Sequence, residues 1–276
     1  VAVPHPASAR RALVLGAVGL ALAACTGSPG SASTPGTAAG STSGPAPSGS
    51  TASPTTPTTP AATSAATPET TPQTPTATTP APPAGLTAAD VTAGVLRREV
   101  PQSGDGTLSV VPGSSPAPPS ARVRTVRVEV EQSLVDAGVL DPAAFADFAL
   151  GVLNDPRSWG AGGTMSFART DGDAEMRLVL ASPDTSAAMC RPLRTNGTLS
   201  CRHGDAAILT WYRWVEAITD YGEDRTGYRQ YVVNHEIGHA LGHGHDPNPG
   251  PGRLAPVMMQ QTKGLDGALP NPWPNP

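Results

Sequence analysis

Between Asn234 and His245 the sequence reads Asn-His-Glu-Ile-Gly-His-Ala-Leu-Gly-His-Gly-His, so His235, Glu236, His239, Gly242 and His245 fill the pattern H-E-x-x-H-x-x-G-x-x-H completely. On a helix, residues four apart project about 40° from one another, so His235 and His239 present imidazoles to one point in space. Gly242 has no Cβ; it can take a positive φ, stop the helix and turn the chain so that His245 swings back to the same point. Three neutral imidazoles leave one position of a tetrahedral Zn2+ open for water, the arrangement of a catalytic site and not of a closed structural one. Zinc lowers the pKa of that water, and Glu236, adjacent to the first ligand, is placed to take the proton and pass it to a leaving amine. The implied chemistry is hydrolysis of a polarised carbonyl, most simply a peptide bond. At this chain's His, Glu and Gly frequencies the five fixed positions coincide by chance on the order of once in 100,000 sequences, so the pattern is not accidental. A site that binds zinc but has lost catalysis is the alternative the pattern leaves open. His243, between two glycines and outside the register, reads as a surface histidine or one that supports a ligand.

These side chains need a rigid support. Tyr228, Tyr231 and Val232 lead into His235 at spacings of three and four, which predicts a helix running to about Leu241. Val126, Val128 and Val130 alternate with Arg127, Glu129 and Glu131, the period of a half-buried strand in a one-sided sheet. Asp141-Pro142 offers an N-cap and a first-turn proline, and Phe145, Phe148, Ala149, Val152 and Leu153 continue at helical spacing until Asn154-Asp155-Pro156. Met176, Leu178 and Leu180 predict another strand, ended by Ser182-Pro183-Asp184, and Ala206 to Thr210 a further one. The expected class is α+β. The Tyr and Trp residues between Trp211 and Tyr231 fit either a cleft lining or core.

The rest of the chain is of a different kind. From Thr26 to about Pro83 the sequence is almost wholly Ser, Thr, Pro, Ala and Gly, with Glu69 its one charge. It cannot bury enough apolar surface to offset the entropy of ordering it, and reads as an extended stalk. A single folded domain is expected over residues 86–276, following a segment 25–85 that holds Cys25 and the stalk. The net charge of −4 is small and spread out, without a basic face suited to phosphates, which excludes nucleic acid as the expected partner.

Arg10 and Arg11 precede an apolar run from Ala12 to Ala24, the layout of a secretory signal over residues 1–24. Leu22-Ala23-Ala24-Cys25 resembles the bacterial lipobox, which implies cleavage before Cys25, lipidation of that thiol and an anchor at the extracytoplasmic face of the cell membrane. An ordinary signal peptide with a chance cysteine is the competing reading. With Cys25 lipidated, Cys190 and Cys201 remain as an even pair in an exported domain, and a disulfide is expected. Two free or zinc-binding thiols are the alternative.

The extended histidine motif resembles that of the metzincin clan of zinc endopeptidases, which pairs it with a methionine-containing turn beneath the metal. Met258, in Ala255-Pro256-Val257-Met258-Met259-Gln260, falls 13 residues beyond His245 and matches that turn, although a loop methionine also serves as core filler. More narrowly, Tyr228 to Asn234, Ala255 to Gly264 and Asn271-Pro272-Trp273-Pro274 are similar to an actinobacterial group of metzincin-like lipoproteins of unassigned function. The resemblance implies a twisted mixed sheet packed on an active-site helix, with a small C-terminal Met-turn subdomain. The motif together with the lipobox leads to the expectation of zinc-dependent cleavage of a protein or peptide substrate at the cell envelope, with the cell wall as a further candidate contact. Two departures stand out. Two further cysteines of that group are absent, which leaves the C-terminal piece to be held by packing around Trp273. Gln260 and Gln261 stand where many metzincins carry a tyrosine suited to the oxyanion. A non-catalytic zinc-containing binding module and a peptidoglycan amidase remain the alternative functions.

Overall fold

The computed structural model describes residues 82–276; the signal segment 1–24, Cys25 and nearly all of the stalk lie outside the described residues. Among the described residues no helix is long and apolar enough to cross a membrane.

The fold is α+β, a mixed open sheet with helices on both faces. Its strands are β1 (Leu108–Val110), β2 (Val123–Glu131), β3 (Ser166–Arg169), β4 (Met176–Ala181), β5 (Cys201–His203) and β6 (Ala206–Thr210), in the order β1-β2-β4-β6-β5 with β3 also pairing β2. β2, β4 and β6 run parallel, while β1 and β5 close the two ends antiparallel to their neighbours. The helices are α1 (Ala88–Thr92), α2 (Gln132–Asp136), α3 (Pro142–Leu153), α4 (Pro183–Met189), α5 (Trp211–Glu216) and α6 (Arg225–Ala240).

The strand period decides which side chain goes to which layer. Val126, Val128 and Val130 of β2, Leu178 and Leu180 of β4, and Ala207 and Leu209 of β6 point into the main core, shared with α3, α5 and α6. Their neighbours Val179 and Ile208 point the other way, into a smaller cluster with Cys190, Cys201 and Ala206. The sheet is therefore covered on both faces, a correction to the one-sided sheet expected from β2. The polar residues of β2 misled because charge was read as exposure. Glu129 and Glu131 are only 3% and 0% exposed. Glu129 is bound by Arg127 and Arg177, and Glu131 accepts hydrogen bonds from the backbone N–H of Gly106 and Ser182 and from the Thr185 hydroxyl. Buried carboxylates so partnered behave as structure.

α3 forms where its caps place it. The Asp141 carboxylate accepts from the N–H of Ala143 and Ala144, Pro142 sits in the first turn, and Asn154 follows the last helical residue. Phe145 and Phe148 pack edge-on against Trp214 of α5 at 5.0 and 5.6 Å between centroids. Trp211, Trp214, Tyr221 and Tyr228 are core residues, all at most 5% exposed. α6 lies against β6 and β5 on one side and α3 on the other. Its first half is pinned to the N-terminal segment by a buried ion pair of 2.6 Å between Arg229 and Asp90, and Arg229 also donates to the Trp214 carbonyl.

Candidate metal centre

The Asp224 carboxylate caps α6 by accepting from Gly227 N–H at 2.8 Å, and the helix runs unbroken through His235 and His239. It ends in a left-handed turn. Gly242 has φ of +100°, its N–H reaches the His239 carbonyl, and the N–H of His243 reaches the Gly238 carbonyl. That bond pattern is the Schellman motif, in which a glycine tolerates a backbone that other residues resist. The turn returns His245 to the helix, so that one ring nitrogen from each of His235, His239 and His245 lies within 4.8 Å of the others. The Nε2 atoms of His239 and His245 stand 3.0 Å apart.

The opposite ring nitrogens are engaged by main chain. Nδ1 of His235 is 2.8 Å from the Val257 carbonyl, and Nδ1 of His239 is 2.8 Å from the His243 carbonyl. A carbonyl only accepts, so each Nδ1 donates and each Nε2 keeps its lone pair for the shared point. Burial, helped by the neighbouring imidazoles, pushes the His235 pKa down to about 3 against the opposing Val257 carbonyl. His245 is lowered in the same sense by burial, by His239 and by Lys263. Both shifts favour the neutral ring, the form that binds a cation. These three histidines could hold a metal ion, and their donor set fits one.

Glu236 supplies the second observation. It is 4% exposed, its Oε2 has no hydrogen-bond partner among the described residues, and burial pushes its pKa up to about 8. A cation beside it would favour the ionised form and reverse that shift. Glu236 and the three histidines line a cleft of about 430 Å³ that opens to solvent, together with Ser200, Arg202 and Gln260.

Beneath the histidines runs the turn that carries Val257 and Met258. Met258 is 3% exposed, and a Cβ placed on Gly238 would lie 2.5 Å from its Sδ and 2.6 Å from Trp159. A side chain at position 238 would thus collide with Met258 and Trp159, which accounts for a glycine inside a helix, where it costs about 1 kcal/mol relative to alanine. Met259 is also buried, and its carbonyl accepts from the Tyr231 hydroxyl. The N–H of Asp246, next to the third histidine, donates to the Met258 carbonyl and fixes the return loop to the turn.

Several supporting residues escaped sequence reasoning. Asn234 is fully buried; it accepts from Ser158 Oγ at 2.7 Å and donates to the Pro272 carbonyl at 2.9 Å, and its own carbonyl accepts from Trp159 Nε1. It therefore clamps the C-terminal segment to the residue before the first histidine. Trp273, as expected, is buried there, with the Arg157 guanidinium 4.0 Å above its ring. His243 supports His239 through its backbone carbonyl, while its exposed ring stacks on Trp159 at 4.3 Å. Cys190 and Cys201 are joined as a disulfide, and the loop between them forms a wall of the cleft through Leu193 and Ser200. His203 lies exposed in β5 and outside the site.

Residues 96–270, more than half of the chain, match a family model described as a protein of unknown function, DUF3152, and the chain belongs to that family. No curated protein and no solved structure matches it.

Proposed function

We propose that this member of a family of unknown function is a metzincin-like zinc peptidase, anchored through Cys25 at the extracytoplasmic face of the cell membrane. The observation that carries the reading is the pairing of three convergent imidazoles, two of them held by main-chain carbonyls at Nδ1, with a buried carboxyl group unpartnered at Oε2 in one open cleft. Three nitrogen donors that leave room for another ligand suit zinc in a hydrolytic site. Bound zinc supplies Lewis acidity, lowering the pKa of water and polarising a carbonyl.

The chain's own residues do the rest. His235 and His239, oriented by the Val257 and His243 carbonyls, would hold the metal from α6, and His245 would hold it from the Schellman turn. Glu236, unencumbered at Oε2, takes a proton from the attacking water and returns it to the leaving amine. Met258 and Gly238 keep the floor beneath His235 rigid. Gln260 lines the cleft where an attacked carbonyl would sit, and Lys263 Nζ holds its Oε1 at 3.1 Å, which leaves the amide N–H groups free to donate.

The test is incubation of the zinc-loaded chain and its Glu236→Ala variant with an unbiased peptide library read by mass spectrometry. Cuts removed by chelation and by Glu236→Ala establish the peptidase. Bound zinc with identical, cut-free profiles for both proteins would replace it by a zinc-containing binding module or a peptidoglycan amidase.

A further inference from the structure

The cleft carries a charge pattern opposite to that of the chain. The protein is net negative at −4, yet the exposed charged side chains lining the two hollows that contain the histidine site are cations. Arg202 of β5 lines the hollow that holds all three histidines; Arg194 and Lys263 line the adjoining hollow that shares His235, Glu236 and His245 with it. Glu236 is the one carboxylate in either lining, and it is buried.

All three cations are exposed, and among the described residues none is paired with an acid. The eight ion pairs among the described residues involve other arginines, and the side chains of Arg194 and Arg202 make no hydrogen bond among those residues. Among the described residues the Lys263 ammonium donates one hydrogen bond, to the neutral Gln260 side chain. Arg194 sits on the loop closed by the Cys190–Cys201 disulfide, and Arg202 directly follows Cys201, so the bridge fixes the backbone that bears both. A separate hollow formed by Trp159, His243 and the C-terminal segment has Asp246 as its one charged side chain. The exposed charges lining the two hollows that contain the histidine site are therefore all positive.

Unpaired cations along a cleft with low-dielectric walls focus a positive potential into it, attract carboxylates and repel basic segments. We propose that Arg194, Arg202 and Lys263 determine specificity, selecting peptide substrates that carry carboxylates on one side of the scissile bond, the side that crosses the disulfide loop. This rests on the peptidase reading for the word substrate, but the binding preference stands by itself. The carboxylates come from Asp or Glu side chains or from a chain terminus.

Two readouts on the full chain separate the claims. The first is fluorescence anisotropy of a labelled decapeptide with glutamates on one side of its centre, compared with its glutamine twin, each with a free and an amidated C-terminus, on zinc-loaded Glu236→Gln protein. The acidic peptide is expected to bind about tenfold tighter at low salt, as several rim charges acting together allow, with the gap closing as salt is raised. The triple variant Arg194→Glu, Arg202→Glu, Lys263→Glu reverses the preference, whereas Arg122→Glu, which lines neither hollow, preserves it. Preference that survives amidation assigns side-chain carboxylates, and preference only for the free acid assigns a terminus. Equal affinity of the twins, or an equal response to the triple and the control variant, overturns the proposal. The second readout is the library cleavage map: cuts without one-sided acidic enrichment overturn the proposal and leave the peptidase standing, whereas selective binding without any cleavage overturns the peptidase and leaves the rim assignment standing.

Discussion

Two carboxylates are buried beside α6, and they are treated in opposite ways. Asp90, 1% exposed, accepts from the Thr87 N–H and hydroxyl and pairs with Arg229 at 2.6 Å. Burial by itself raises its pKa, but the Thr87 backbone and the Arg229 guanidinium outweigh burial and hold it below the usual 3.8. Glu236, less than two turns further along the same helix from Arg229, is 4% exposed and has no partner on Oε2, so burial acts unopposed. The first half of α6 thus carries a compensated ion pair, and the second half keeps a buried carboxyl group without a partner on Oε2 next to three convergent imidazoles. Folding alone gives no reason to bury a bare carboxylate, and this contrast separates the site from the scaffold.

Substitution sharpens the contrast. Glu236→Gln is expected to lower peptide cleavage about 10²- to 10⁴-fold, the usual contribution of a general base, while the melting temperature of the metal-free chain holds or rises because a strained group is removed. Asp90→Ala leaves Arg229 charged and unpaired in the core and is expected to cost about 3–5 kcal/mol of stability, read from denaturant unfolding. If both variants lose stability alike, the distinction between scaffold and site fails.

Acid provides a smaller test of the compensated, scaffold carboxylates. A carboxylate whose folded pKa is depressed contributes stability above its unfolded pKa and loses that contribution as pH falls through the folded value. For Asp90 and Glu129, lowered from 3.8 and 4.5, unfolding titrations should show this stability in full above about pH 5 and its decline below about pH 4. Asp90→Asn should flatten that decline.

The metal-motif helix α6 was legible in the sequence because helical spacing and the glycine turn act within a few residues, and α3 because its capping Asp141-Pro142 does too. The limits of β6 were legible for the same reason, and β4 runs one residue beyond its last alternating leucine. β1, β3 and β5, only three or four residues long, are too short to show a period. The second face of the sheet was hidden because Glu129 and Glu131 look exposed until Arg177, Ser182 and Thr185 arrive from distant segments. Gly238 carried a signal, a glycine in mid-helix, but its reason lies in Met258 and Trp159 far along the chain. The cleft wall was hidden for a similar reason: Cys190 and Cys201 suggested a bridge, not where the bridge would sit.

The disulfide gives the smallest effect and a comparison of wall with floor. Reduction is expected to cost about 2–3 kcal/mol by releasing the short loop. The histidines hang from α6 and the Schellman turn, so bound metal should persist on reduction while cleavage of acidic peptides weakens. Loss of metal on reduction would tie the site to the wall.

The most direct test of the central claim is zinc K-edge absorption on the purified chain, with metal content measured alongside. Three imidazole nitrogens and one light oxygen donor at about 2.0 Å, one zinc per chain, and loss of that zinc in His239→Ala are the results expected. Sulfur scattering at about 2.3 Å, or a chain that takes up no stoichiometric zinc, would contradict it.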